Sequence, residues 1–284
     1  MSIKNKNFII IAGQPKAGTT SLFNWMKKHP SITPSILKEE RFFIDKDYPL
    51  DRRKQFNGEN LEEYLELFPK KNSEFFLEAC PDYLYNQTSL KISTLLPKSK
   101  IIIIIRDAES RMISAYNFFK QRGMINSNMT FKDYILYQHT LQPSKNTPIQ
   151  FRALEQCAVN PFLEKWKRNF DNRLYVMSFD NLKKNPLNEV SNVCSFLGIS
   201  SQFYRNFNFT VENKSMSSKY LKISKYYYLI SDYFRFRFAN NKIIMTLGKK
   251  MSFFIKNKIH TKLVNQNIVI DEEIKKILDK YENR

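Results

Sequence analysis

Gly13, Lys16, Gly18, Thr19, Thr20 and Ser21 stand within nine residues of one another, directly after the apolar run 8–12. A strand feeding a glycine loop and a helix N-terminus makes a phosphate cradle, because backbone N–H groups and the positive end of the helix dipole converge there. Gly13 and Gly18 keep the spacing of the nucleotide loop GxxxxGK[ST], and Thr20 holds its hydroxyl position. The lysine differs. Thr19 follows the second glycine, and the cation sits inside the loop as Lys16. From there it can reach the bridging oxygen beside a 5′-phosphate, where charge builds as a neighbouring group leaves. One phosphate in the cradle leaves no β/γ pair to clamp.

Arg106 and Ser114 form a second candidate pair. Lys100 is followed by five isoleucines, a run suited to a strand buried on both faces of a parallel sheet. Arg106 ends that strand, at the edge where open α/β sheets bind ligands. Met112, Ile113, Tyr116 and Phe119 form the apolar stripe of the next helix, and Ser114 falls two turns into it. Arginine supplies fork-shaped, charge-assisted hydrogen bonds and serine adds one donor. The plainer alternatives are an ion pair of Arg106 with Asp107 or Glu109, and a solvated helix serine. A third cluster is Lys38-Glu39-Glu40-Arg41-Phe42-Phe43. Attack by a hydroxyl needs a base, and a carboxylate is a weak one unless burial raises its pKa. Glu39, followed by two phenylalanines that can exclude water, is the candidate base, and Asp82 the runner-up. Two solvated loop acids are the plain alternative.

Pro-Lys-x-Gly-Thr-Thr-Ser-Leu resembles the 5′-phosphosulfate loop of sulfotransferases that use 3′-phosphoadenosine 5′-phosphosulfate (PAPS). Ile-Arg-Asp-x-x-x-Arg-x-x-Ser-x-Tyr, from Ile105 to Tyr116, resembles their 3′-phosphate motif, with Ala108 in place of the usual proline. Lys38 to Phe43 resembles the Lys-Glu-x-His-Phe-Phe segment of the heparan-type carbohydrate sulfotransferases, with Arg41 for histidine. Glu78-Ala79-Cys80-Pro81-Asp82-Tyr83 resembles their Glu-Lys-Thr-Pro-x-Tyr, with Ala79 for the lysine that helps neutralise the sulfonate. The resemblance covers roughly residues 8 to 215. It implies that Lys16, Ala17, Gly18, Thr19, Thr20 and Ser21 hold the 5′-phosphate and Arg106 and Ser114 the 3′-phosphate, with Lys214 and Lys219 in a loop over the adenosine. It further implies Glu39 as base, Lys16 on the leaving oxygen, and PAPS as co-substrate with no metal. The acceptor would be a hydroxyl of a carbohydrate, with Asp82 and His139 near it, and Arg41 hints at an anionic one. A P-loop kinase or NTPase and a non-catalytic polyanion- or membrane-binding module are the rivals.

Strands alternate with helices. Strands are expected at 8–12, 75–78, 100–105 and 173–178, with a short one within 31–45. Helices are expected at 18–28, 60–67, 87–96, 109–122, 130–137, 151–169, 179–184 and 187–197. This alternation implies a doubly wound parallel sheet flanked by helices, and the resemblance makes it of the P-loop type. The expected domain spans 1–215, and 216–284 forms a basic, aromatic-rich helical extension. Within 220–263 aromatics crowd among lysines and arginines, with Asp232 the one acid. Packing on the main domain, peripheral membrane contact and acceptor docking all remain open for this segment. Asp271 caps a closing helix to about Tyr281.

A net charge of +19 over 284 residues raises nucleic acid as a partner. The basic residues are spread along the chain without a zinc-finger or RNP-like motif, so none is expected; an anionic donor accounts for the sign. Cys80, Cys157 and Cys194 have no metal-like or redox spacing. With no secretory signal or apolar run long enough to span a bilayer, the expected location is cytoplasmic, and peripheral placement at the inner membrane face is the option that 220–263 leaves open.

Overall fold

A computed structural model describes every residue except 1, 51–53, 71, 86, 145, 211–215, 219–220 and 263–267. In chain order its strands and α-helices are β1 (Asn7–Gly13), α1 (Thr19–Met26), β2 (Ile32–Pro34), β3 (Phe75–Ala79), α2 (Thr88–Leu95), β4 (Lys100–Ile105), α3 (Ala108–Gln121) and α4 (Phe131–Thr140). Then follow α5 (Asn160–Phe170), β5 (Leu174–Ser178), α6 (Phe179–Lys184), α7 (Pro186–Leu197), β6 (Met216–Ser218), α8 (Leu221–Arg237), α9 (Lys242–Ile259), β7 (His260–Lys262) and α10 (Glu272–Glu282).

The chain forms two compact units. The first comprises 1–48, 52–106 and 160–213; the second comprises 49–51, 107–159 and 214–284. The change of composition near residue 215 falls close to the last join, and the second unit also takes in 107–159.

The first unit holds a five-stranded, all-parallel sheet of order β2-β3-β1-β4-β5. Its central strands are covered on both faces, which is why β1 and β4 read as unbroken apolar runs. Ile9, Ile11, Ile102 and Ile104 share a core with Leu22 and Met26 of α1 and Val190 and Val193 of α7. Phe8 faces the other way, against Tyr64, Phe68 and Phe76 at 5.1, 5.9 and 5.3 Å between ring centroids. Gly198 ends α7 in the left-handed region, at φ 79°, the conformation that a C-terminal glycine adopts without steric cost.

Two helical expectations change. Residues 61–67 form a 3-10 helix, whose three-residue period puts Tyr64 and Leu67 on one buried face. Of the helix expected over 151–169, only Asn160–Phe170 is α-helical, and 149–151 and 155–157 are 3-10 turns. Pro161 fixes the α-helical start, since proline fits the first turn and not a helix interior.

In the second unit α3, α4 and α10 enclose an apolar core that includes Met112, Tyr116, Tyr134, Ile274 and Leu278. Asp107 caps α3 by accepting from the Ser110 N–H at 2.7 Å. Asp271 caps α10 by accepting from the Ile274 N–H at 3.0 Å. Among the described residues no helix is long and apolar enough to cross a membrane.

Candidate active site

In the first unit β3, β1 and β4 lie side by side, and their carboxyl ends deliver the candidate residues. Gly18 is the N-cap of α1 in the left-handed region, φ 86°, and a Cβ there would come within 3.0 Å of Phe179. Glycine is therefore required for both backbone and space. No side chain caps α1 and no acid lies in its first turn, so the helix's own sequence leaves its N-terminal N–H groups and positive end without an acidic cap. That donor set fits a phosphate. Lys16 also has a left-handed backbone, φ 70°, and Ala17, Thr19 and Ser21 are buried beside it.

Arg106 is tied to this loop. Its Nη1 donates to the Lys16 carbonyl at 2.8 Å, and its backbone N–H donates to Gln14 Oε1 at 3.1 Å. The Gln14 N–H in turn donates to the Ile104 carbonyl at 2.8 Å. The guanidinium lies 4.3 Å from the centroid of the Phe179 ring, at the end of β5. Stacking and hydrogen bonding hold a cation beside the cradle in one orientation. Gln14 and Phe179 were not among the expected site residues. The Gln14 side chain is a buried amide inside a glycine loop, which was a readable signal. Phe179 follows a strand carboxyl end, but only the sheet order places it beside β4.

Glu39 sits at the neighbouring strand end. Its N–H donates to the Ala79 carbonyl at 2.9 Å. Its carboxylate pairs with Lys38 on one oxygen and with Arg41 Nη2, at 3.2 Å, on the other. Glu39 and Arg41 both take left-handed backbone angles, φ 68° and 62°, a costly arrangement for residues with a Cβ. Asp82 is buried and accepts from the Tyr48 hydroxyl at 2.8 Å. Burial raises its pKa, the Arg41 charge opposes that rise, and the Glu39 charge adds to it. Glu39, Arg41 and Asp82 therefore form one electrostatic group, in which the Glu39 side chain is 25% exposed.

Beneath this loop is a buried network the sequence did not announce. Glu78 accepts from the Tyr64 hydroxyl at 2.5 Å and the Tyr83 hydroxyl at 2.9 Å, and from the Arg41 backbone. Burial lifts its pKa from an ordinary 4.5 to about 7, the tyrosine hydrogen bonds oppose this, and Glu40 adds to the rise. The native state thus keeps a proton that the unfolded chain releases. The stability this contributes is full at low pH and falls as pH rises from about 4.5 to 7, by about 3 kcal/mol. Urea unfolding at about pH 5 and about pH 8 should show this loss, and Glu78→Gln should flatten it. An unchanged pH dependence in the variant would assign the loss to other groups.

The remaining candidates lie in the second unit or outside the described residues. Ser114 is half-buried on α3. Arg111, three residues earlier in the same motif, is fully buried and donates to the Ala153 carbonyl and, at 3.0 Å, to Cys157 Sγ. It is a packing residue of α3. His139 on α4 meets the Tyr281 ring edge-on at 5.9 Å. Lys214 and Lys219 lie outside the described residues. Cys80, Cys157 and Cys194 are buried free thiols.

A family model described as "Sulfotransferase domain" matches residues 6–236. The bifunctional heparan sulfate N-deacetylase/N-sulfotransferase 1 of Xenopus laevis is 25% identical over 207 residues, 68% of this chain and 22% of its own length. Human bifunctional heparan sulfate N-deacetylase/N-sulfotransferase 2 is 25% identical over 206 residues, 67% of this chain and 22% of its own length. The chain thus spans about a fifth of the length of these relatives. The crystal structure of a sulfotransferase from Alicyclobacillus acidocaldarius has a TM-score of 0.60 and 23% identity, covering 74% of this chain and 86% of that one. At that identity the likeness speaks for the fold.

Proposed function

The chain belongs to the sulfotransferase domain family, and from that premise we propose that it moves a sulfonate group from PAPS to a hydroxyl of a carbohydrate acceptor. The observation that carries this reading is the tie between Arg106 and the Lys16 carbonyl, which sets an arginine fork beside a lysine-bearing phosphate loop. The co-substrate supplies an activated sulfonate on a bridging oxygen. The α1 amides and the loop from Lys16 to Ser21 bind the 5′-phosphate, and the Lys16 ammonium meets the charge growing on that oxygen. Arg106 holds the 3′-phosphate, with Ser114, Lys214 and Lys219 assigned to the same ligand. Glu39 takes the acceptor proton.

Of the two candidate bases, Glu39 is favoured over Asp82 because it retains exposure, whereas the Asp82 carboxylate is buried under Tyr48. Ala79 cannot neutralise the sulfonate as the family lysine does. Lys38 and Arg41, both paired with Glu39, are the cations that take over this task. A cytoplasmic location and peripheral contact at the inner membrane face through 220–263 complete the reading.

Calorimetric titration with 3′-phosphoadenosine 5′-phosphate (PAP) in EDTA, beside ATP, tests the donor site. PAP should bind at least about tenfold more tightly than ATP, and Arg106→Ala should weaken PAP about a hundredfold. A preference for ATP that appears only with magnesium would overturn the reading.

A further inference from the structure

A surface helix ordinarily buries its apolar stripe and turns its polar face to water. In the second unit α8 does the reverse. Ile223, Tyr226, Ile230, Tyr233 and Phe234 recur at helical spacing and are 50 to 67% exposed. Ser224 is fully buried instead. The protected side of the helix is polar: the Tyr228 hydroxyl accepts from Gln121 Nε2 at 3.3 Å, and Arg122 pairs with Asp232 at 3.2 Å. Arg122 also lies 4.4 Å from the centroid of the Tyr228 ring. In α9, Ile243, Leu247, Met251 and Phe254 repeat the pattern at 57 to 74% exposure, and the Tyr227 and Ser252 hydroxyls join the two helices. Eleven of the seventeen large exposed apolar residues among those described fall on this pair. Isolated exposed apolar residues need no explanation, but such a concentration does.

The charge narrows the choice of occupant. Residues 221–259 carry nine lysines and arginines against one acid, Asp232, and that acid is paired with Arg122. A second copy would press the same positive segment against itself. A surface that offers both negative charge and an apolar interior matches both features. We infer that the exposed apolar stripes of α8 and α9 dock on an anionic phospholipid bilayer, with Tyr226, Ile230, Tyr233 and Phe254 entering the boundary between headgroups and acyl chains. Lys225, Arg237, Lys250 and Lys258, all exposed, lie among the lipid phosphates. This deepens the proposed function and rests on its peripheral membrane contact, by naming the lipid charge and the side chains that enter.

The test is co-sedimentation of the full chain with vesicles of phosphatidylcholine alone and of phosphatidylcholine with phosphatidylglycerol. Anionic vesicles should bind at least about tenfold more protein than neutral ones, and Ile230→Ser combined with Phe254→Ser should weaken that binding about tenfold. Both replaced side chains are exposed, and the circular dichroism spectrum and melting temperature of the same preparations verify that the variant is folded, with PAP titration run beside them. Equal binding by variant and wild type would reduce the contact to charge alone and overturn the insertion. Absence of vesicle binding with PAP affinity intact would overturn the docking surface but not the donor site. A dimer that the double substitution dissolves would assign the stripes to a second copy. Vesicle binding that depends on Ile230 and Phe254 without any PAP binding would uphold the docking surface and remove the donor reading.

Discussion

Replacing Glu39 with glutamine is expected to lower sulfonate transfer by about 10²- to 10⁴-fold, the range for loss of a general base, while affinity for PAP stays at the wild-type level. The substitution keeps the shape of the side chain and one oxygen, so one of the two ion pairs becomes a charge-assisted hydrogen bond while the amide NH2 faces the other cation. The backbone tie from the Glu39 N–H to the Ala79 carbonyl is untouched. What disappears is the ability to accept a proton. Transfer by labelled PAPS and calorimetric titration with PAP, run on the same preparation, separate the outcomes. Parallel loss of both would make Glu39 a structural residue of the loop.

Lys16→Ala is expected to lower turnover by about 10²- to 10³-fold, the cost of removing a donor aimed at developing negative charge. PAP affinity should fall by less than about tenfold, because the α1 amides and Arg106 remain. The position has φ 70°, and alanine meets the same left-handed penalty that lysine already bears. The carbonyl that accepts from Arg106 is also retained. Turnover near the wild-type value would remove Lys16 from the leaving oxygen.

The parts of this site that were legible in the sequence share a cause. β1 and β4 are buried on both faces, so their apolar runs have no competing interpretation; β1 runs into the glycine loop that carries Lys16, and β4 is followed directly by Arg106. Glycine at 18 carried its own constraint, since the turn demands a left-handed residue with no Cβ. The Glu78 network was not legible. Its partners Tyr64 and Tyr83 are fourteen and five residues away, and neither spacing belongs to a helix or a strand. Phe179 reaches Arg106 only because β5 lies next to β4. In α8 and α9 the periodicity was correctly helical, but pattern alone cannot tell which side of a helix meets the protein. The contacts of Tyr228 and Asp232 decide that.

The heparan sulfate relatives sulfonate nitrogen, by their names, whereas the reaction proposed for this chain ends on a hydroxyl. The measurement that tests it most directly is transfer of radiolabelled sulfonate from PAPS, in EDTA, to two polysaccharides. One should present hydroxyls only, and the other free amines with every hydroxyl blocked. Metal-free label on the hydroxyl polysaccharide, absent in the amine sample, is the predicted result. Label on neither, from a protein that binds PAP tightly, would contradict catalysis, and label on the amine alone would contradict the acceptor.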